Sequence, residues 1–217
     1  RVLFRSVRAP HAFGQDQLLK PVTEFLQRYP QLSIEWMLND RSADFLGDNL
    51  DCAIRVGVEV DPATVSVLLA EVPRSVVASP ALLARFPAVN TPEDLQQFPW
   101  IAISSFYQRH VELFHDATSA TARIAITPRL STDSLYVARN TALTGLGVAA
   151  VSSWTVQDDI REGRLVHLLP EWQPAALPVH LVYPWSRYYP ARLRRFLELM
   201  RQVMPEVTGM RKPVQQP

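Results

Sequence analysis

Five histidines, one cysteine and many hydroxyls give this chain material for chemistry, but their spacing supports binding rather than bond making. His110 and His115 are five apart, the wrong interval for two ligands on one helical face, and His11, His167 and His180 have no Cys or acidic cluster beside them. There is no G-x-S-x-G elbow, P-loop or G-x-G-x-x-G. Gly145-Leu146-Gly147 is a fragment of the last pattern and reads better as a helix stop ahead of a buried strand. Ser, His and Asp occur together in almost any chain of this length, so no triad follows from their presence. No catalytic residue, metal ligand or cofactor is expected. What remains is hydroxyls and arginines near the ends of strands, and helix N-termini whose unpaired N–H groups suit a carboxylate at about 0.3–2 kcal/mol each.

Those groups depend on the elements that carry them. Val7-Arg8-Ala9 predicts a strand ended by Pro10, and the loop from His11 to Gly14 leads into a helix with Leu18, Leu19, Val22, Phe25 and Leu26 on one face. Pro21 falls in its first turns, where it is tolerated, and Tyr29-Pro30 stops it. Leu32, Ile34 and Trp36 alternate with Ser33 and Glu35 as in a strand. Asn39 to Ser42 opens a short helix through Phe45, Leu46 and Leu50, and residues 51–56 form the third strand. This rhythm predicts right-handed crossovers and a mostly parallel sheet.

Residues 65–69 and 75–78 predict further strands, and Ser79-Pro80 starts a helix over 81–86. Thr91-Pro92-Glu93-Asp94 is a second helix start, with a cap, a proline and an acid in order. Trp100-Ile101-Ala102-Ile103 delivers Ser104 and Ser105 to a strand's carboxyl end, and 122–126 is another strand. Ser131 or Thr132 caps the next helix, with Asp133 in its first turn and Gly145 and Gly147 at its stop. Val148-Ala149-Ala150-Val151 has the apolarity of a strand covered on both faces. Ser152 or Ser153 then caps a helix ending near Gly163, and 165–169 is a strand. After a return strand over 178–183, Pro190 begins a last helix whose apolar stripe is Leu193, Phe196, Leu197 and Met200. Arg192, Arg194, Arg195 and Arg201 fall mainly on its solvated side, and the tail after Pro205 is expected to fray.

The run LSTDSLYVARNTALTGLGVAAVSSWTVQDDIREGRLVHLLPEW, over residues 130–172, resembles the effector-binding domain of LysR-type transcriptional regulators. The front half agrees: VRAPHAFGQDQLLKPVTEFLQRYPQLSIEWMLNDRSADFLGDNLDCAIRVG is similar to the family's first strand, helix, second strand, helix and third strand. The likeness extends from about Ser6 to about Val203. It implies an α/β fold of two Rossmann-like lobes with a cleft between them, of the type 2 periplasmic-binding-protein kind. The family's two crossings match positions near Ala78-Ser79 and Leu181-Val182. Lobe I is then 1–79 with 182–217, and lobe II 80–181.

Open α/β sheets bind ligands outside the carboxyl ends of their strands. In lobe I that rule, with the resemblance, singles out Pro10, His11, Ala12 and Phe13, the turn Asn39-Asp40-Arg41-Ser42, and Arg55-Val56. In lobe II it singles out Ser104, Ser105, Ser131, Thr132 and Asp133, with Tyr136 facing either the cleft or the core. The expected effector is a small organic anion carrying a carboxylate. Ala12 departs from many relatives, which place a hydroxyl there, and Phe13 then lines an apolar pocket instead. Arg55 reads either as the effector's partner or as a strand-end arginine bridged to an Asp; capping alone explains Ser131 and Thr132.

At 217 residues the chain is long enough to bury a sizeable core, and 47% hydrophobic with 20% charged content excludes a disordered or fibrous protein. No apolar run approaches the ~20 residues of a membrane helix, and no secretory h-region is present. Cys52 cannot form an intrachain disulfide, which fits a reducing, cytoplasmic setting. A net charge of +1, spread evenly, lacks the footprint of nucleic-acid binding. DNA contact is thus expected only through a winged helix-turn-helix and linker helix that these residues do not include. The family associates as homodimers or homotetramers, and by that resemblance residues 17–28 and 32–38 would face lobe II of a partner. The alternative reading is a periplasmic solute-binding protein of a transporter; an enzyme on the same scaffold is the remotest.

Overall fold

A computed structural model of the chain describes residues 2–40, 45, 47–57, 62–104 and 109–213. In chain order it begins β1 (Val2–Ala9), α1 (Leu19–Arg28), β2 (Leu32–Leu38), β3 (Leu50–Val56) and β4 (Thr64–Val72). It continues with β5 (Arg74–Ala78), α2 (Pro80–Leu83), β6 (Trp100–Ile103), β7 (His110–His115), β8 (Thr121–Ala125) and β9 (Pro128–Thr132). Then come α3 (Leu135–Leu143), β10 (Val148–Ser152), α4 (Gln157–Arg161), β11 (Val166–His167) and β12 (Trp172–Pro174). The chain ends with β13 (Leu177–Pro184) and α5 (Ala191–Val203).

These elements form two compact units, Arg1–Val72 with Leu177–Pro217, and Pro73–Ala176. The divisions fall before the expected crossings at Ala78-Ser79 and Leu181-Val182. The reason is in the sheets: β5 already pairs with β10, and all of β13 pairs beside β4. Pro73, which has no N–H to continue a ladder, stands where β4 gives way to β5.

The first unit's sheet has the order β2-β1-β3-β13-β4. β1 runs parallel to β2 and β3, as the strand–helix rhythm predicts, but β13 is antiparallel to β3 and β4. The sheet is therefore mixed rather than mostly parallel. The helix expected from Asn39 lies largely on residues 41–44 and 46, outside the described residues, and Leu50 opens β3 instead of closing that helix. In α1, Val22 and Phe25 are buried, while Leu19 is 48% exposed. The stripe of α5 is buried as expected, and Phe196 meets Phe25 edge-on at 5.9 Å. Arg194, Arg195 and Arg201 are exposed. Arg195 lies over the Tyr29 ring at 5.1 Å. The tail is not frayed as far as Arg211, because Glu71 and Arg211 exchange two backbone hydrogen bonds of 2.9 Å and an ion pair of 3.0 Å.

The second unit has the sheet β11-β5-β10-β6-β9 and, beside it, the antiparallel sheet β12-β7-β8. Every residue of β10 is buried, and its alternating side chains explain why. Ala149 and Val151 join Val77, Ile101, Ile103 and the small Ala138 and Ala142 of α3. Val148 and Ala150 join Val76, Trp100 and Ala102 against Val111, Leu113 and Ile124 of the three-stranded sheet. Trp100 is fully buried and its indole N–H donates to the Leu95 carbonyl at 3.0 Å. β7 is a strand that the sequence pattern does not predict. The return strand expected over 165–169 shrinks to Val166–His167, with Leu165 turned into the core.

Caps follow the sequence in part. Ser79 Oγ accepts from the Leu82 N–H at 3.2 Å, though α2 is one turn long. Asp94 accepts from the N–H groups of Asn90 (2.9 Å) and Thr91 (2.8 Å), which hold its carboxyl below the usual range, but the segment is a 3-10 helix, Pro92–Gln97. Neither Ser152 nor Ser153 caps α4, because the Ser153 hydroxyl is bonded to Ser75 at 2.8 Å.

Gly145 ends α3 with φ +77°, and Gly147 lets the backbone approach Pro99, whose oxygen would lie 2.7 Å from an added Cβ. Gly147→Ala is accordingly expected to cost about 1–3 kcal/mol in urea unfolding. Gly163→Ala, at φ +72° with nothing within 4 Å, is expected to lose only about 1 kcal/mol from backbone strain.

Candidate functional site

In the first unit the expected residues gather where β1 ends. The Gly14 N–H donates to the Pro10 carbonyl at 2.8 Å, and a π-helical turn, Phe13–Gln17, precedes α1. Pro21 cannot donate to the carbonyl of Gln17, four residues back, and the wide turn sits just ahead of it. Gly14 fits because Leu38 and Ala9 leave no room for a Cβ, and Trp36 Nε1 donates to its carbonyl at 3.1 Å. Pro10 is half-buried, whereas Ala12 and Phe13 are buried in the core. The start of this helix already holds a carboxylate of the chain itself: Asp40 accepts from the His11 N–H at 3.1 Å, and its other oxygen lies 2.8 Å from the His11 ring Nδ1. Asn39 donates its N–H to the Ala9 carbonyl at 2.9 Å, which holds Asp40 in place.

Arg55 is half-buried near the end of β3 and sits opposite His180 of β13. Burial lowers the His180 pKa; a bond to the Gly57 backbone opposes this, and the charge of Arg55 adds to it. Arg41 and Ser42 lie outside the described residues, as does Ser105.

In the second unit the parallel strands β6 and β9 end together, with Ile103 opposite Thr132 and the Ser104 N–H donating to the Thr132 carbonyl at 2.9 Å. This brings Ser104, Ser131 and Thr132 to one sheet end. Ser104 and Ser131 are exposed and Thr132 is half-buried. Neither Ser131 nor Thr132 caps α3. The pairing with β6 keeps both in strand conformation, so the cap moves to Ser134, whose Oγ accepts from the Val137 N–H at 3.3 Å. Thr132 Oγ1 instead accepts from the Ser134 N–H at 3.0 Å, and Asp133 precedes the helix. Tyr136 is half-buried in the first turn.

Sequence reasoning missed what anchors α3. Asp159 on α4 is fully buried and receives Arg139 of α3 in a fork, Nε to Oδ2 at 2.6 Å and Nη2 to Oδ1 at 2.9 Å. Arg164 adds bonds to Oδ1 at 2.9 and 2.6 Å. Burial pushes the Asp159 carboxyl up, but the bonds and charges of Arg139 and Arg164 outweigh it and leave the pKa below its ordinary value. No local pattern marks this group, since its partners lie on different elements.

The remaining reactive candidates lie apart from these sheet ends. His110 and His115 begin and end a strand, and among the described residues no three His, Cys, Asp or Glu side chains could hold a metal. Cys52 is fully buried, and burial, aided by the Asp51 charge, pushes its thiol far up. Among the described residues no helix is long and apolar enough to cross a membrane.

Residues 6–205 match the family model described as the LysR substrate binding domain. The chain is 29% identical over 196 residues to the HTH-type transcriptional regulator PtxR of Pseudomonas aeruginosa, covering 90% of this chain and 62% of PtxR. It is 30% identical over 185 residues to an HTH-type transcriptional repressor of the same species, covering 84% of this chain and 58% of the repressor. The chain thus spans about three fifths of the length of these relatives. Among solved structures, the regulatory domain of CrgA, a LysR-type regulator from Neisseria meningitidis, is similar at TM-score 0.73 and 25% identity, covering 93% of this chain and 98% of that one. Full-length AphB of Vibrio cholerae is similar at TM-score 0.76 and 22% identity, covering 90% of this chain and 67% of that one. These relatives are named as regulators, which does not favour the transporter alternative.

Stability should respond to acid through Asp159. Its folded pKa is depressed, so its contribution is complete above the ordinary carboxylate value of about 4 and is lost as pH falls through the lower folded value. Asp159→Asn, which leaves two arginines facing an uncharged buried amide, is expected to lose about 3–5 kcal/mol at neutral pH and to flatten the acid limb of stability against pH, measured by urea unfolding.

Proposed function

The chain belongs to the LysR substrate binding domain family, and from that premise we propose that it is the effector-sensing and oligomerising part of a bacterial transcriptional regulator. The observation that carries the reading is the joint end of β6 and β9, where Ser104, Ser131 and Thr132 stand beside the start of α3. Hydroxyls at a sheet end and a nearby helix N-terminus suit a small organic anion, and a carboxylate is the group proposed. Ser105 and Tyr136 are proposed to join this set in the second unit. A ligand that favours one arrangement of the protein shifts its population, and that shift is the signal. DNA contact is proposed for a winged helix-turn-helix outside these residues, and the cytoplasm as the compartment.

A homodimer or homotetramer is proposed through α1 and the edge strand β2. Leu19 is 48% exposed on α1, and Ile34, Trp36 and Leu38 of β2 are only half-buried at an edge that no further strand among the described residues pairs.

Small carboxylates screened by thermal shift test the effector reading. A carboxylate that raises Tm in the wild type should bind roughly tenfold more weakly to Thr132→Ala, about the worth of one hydrogen bond to a charged group. Binding unchanged in Thr132→Ala and Ser131→Ala would rule out this site. For the interface, Leu19→Glu should shift the sedimentation profile towards monomer without lowering Tm; an unchanged oligomer places the contact on another surface.

A further inference from the structure

We propose that the loop between β13 and α5, together with Arg194 and Arg195 at the start of α5, is an interaction surface that takes the phosphate backbone of duplex DNA. From Tyr183 to Leu197 the chain reads YPWSRYYPARLRRFL, with four arginines and no Asp or Glu. A net charge of +1 over the whole chain conceals this local excess. Because β13 runs antiparallel to β3, the loop leaves the sheet at the amino end of β3, the opposite end from Arg55.

The loop turns large side chains outward. Trp185 is 72% exposed and Tyr188 79%, and Arg187, Arg194 and Arg195 are exposed as well. The backbone beneath them is nonetheless fixed. Ser186 Oγ donates to the Tyr188 carbonyl at 2.9 Å, and the Ser186 N–H donates to the Tyr189 hydroxyl at 3.0 Å. The Tyr189 ring meets the buried Tyr183 edge-on at 5.3 Å. Exposed rings on a loop held in this way lose little freedom when a partner docks, and Trp, Tyr and Arg are the residue types that dominate docking energetics.

The charges point to a polyanion. Arg139, Arg161, Arg164 and Arg211 hold carboxylates, whereas Arg187 and Arg195 lie over the rings of Tyr188 at 5.8 Å and Tyr29 at 5.1 Å. A guanidinium stacked on a ring keeps its N–H edge for a phosphate. The first turn of α5 has no acid and Pro190 supplies no side-chain cap, so the helix end adds to the positive potential of Arg194 and Arg195. A second copy of the same patch would set arginines against arginines. A lipid surface needs an apolar face to enter it, and the stripe of α5 is buried in the core. A duplex meets the set as it stands: arginines, a tyrosine hydroxyl and a helix N-terminus are groups that contact phosphates, and the Trp185 indole adds an N–H donor. The inference rests on the regulator reading only for its choice of duplex DNA among polyanions.

Fluorescence anisotropy of a labelled mixed-sequence duplex of about 20 base pairs, titrated with this chain, is the test. The expected result is sequence-independent binding with a Kd of about 10⁻⁴ M or tighter at about 50 mM salt, weakening about 40-fold by about 200 mM as three phosphate contacts dictate. Each of Arg187→Gln, Arg194→Gln and Arg195→Gln should reduce the slope of log affinity against log salt by about 0.9, and the three together should abolish binding with Tm unchanged. Trp185→Ala combined with Tyr188→Ala should weaken binding roughly tenfold. No binding at low salt, or binding that survives the triple arginine variant, would overturn the inference. So would tighter binding of the corresponding single strand, which would make the rings a stacking platform, or binding of phosphatidylglycerol vesicles without binding of the duplex, which would make the patch a membrane contact. Each of these outcomes leaves the effector reading to its own test, the carboxylate screen with Thr132→Ala.

Discussion

The second unit depends on one buried carboxylate. Asp159 has no exposure and faces two guanidiniums, Arg139 from α3 and Arg164 from the turn after Gly163. A charge taken out of water is tolerated only when its partners are in place, and losing one exposes several kcal/mol of unmet desolvation. The three segments must therefore set together. Arg139 follows Ala138, which packs on Val77 and Ile101, so the ion pair also fixes the rotation of α3 on the sheet. The start of α3, with Ser134 and Tyr136, inherits its position from that fit and stands beside the ends of β6 and β9. The residues proposed to sense an effector rest on a frame that contains none of them.

What could be read in advance was whatever a short window decides. Val148 to Val151 is apolar at every position because both faces of β10 are covered, and that shows in four residues. The stripe of α5 and the Ser79 cap are equally local. The cap of α3 is not. Ser131, Thr132 and Ser134 are all competent caps by residue type, and the choice is made by β6, whose pairing with Thr132 keeps that residue extended. Pairing across distance also decides the tail, where Arg211 finds Glu71 at a separation of 140 residues. β7 had a signal that was easy to pass over: Val111 and Leu113 point inward between polar neighbours, but Phe114 faces out at 39% exposure and spoils the alternation.

The mixed sheets have a similar origin. Strand, helix, strand predicts parallel neighbours, and β1, β2 and β3 obey. β4 and β13 are the strands by which the chain leaves the first unit and returns to it, and they pair with each other as antiparallel neighbours across the whole inserted unit. Sequence rhythm describes the segments inside a unit; it says nothing of strands whose partner lies across an inserted unit. For the candidate site the same division holds. The strand ends were legible from the apolar runs before them, while Asp40 at His11, 29 residues away, was not.

Asp40 changes the electrostatics that any ligand meets. A helix N-terminus attracts one anion well, and the His11 N–H has given its bond to a carboxylate of the chain. A second anion at that turn would face Asp40 at close range, and the like charges repel. An anionic group is therefore better placed at the start of α3, where Thr132 and Ser134 spend their oxygens on backbone N–H groups and bring no charge, or near Arg55, which does. The buried Ala12 and Phe13 fit the same logic: with the helix start already neutralised, the turn after β1 can close over its own side chains and serve as a rigid wall rather than as an anion's seat.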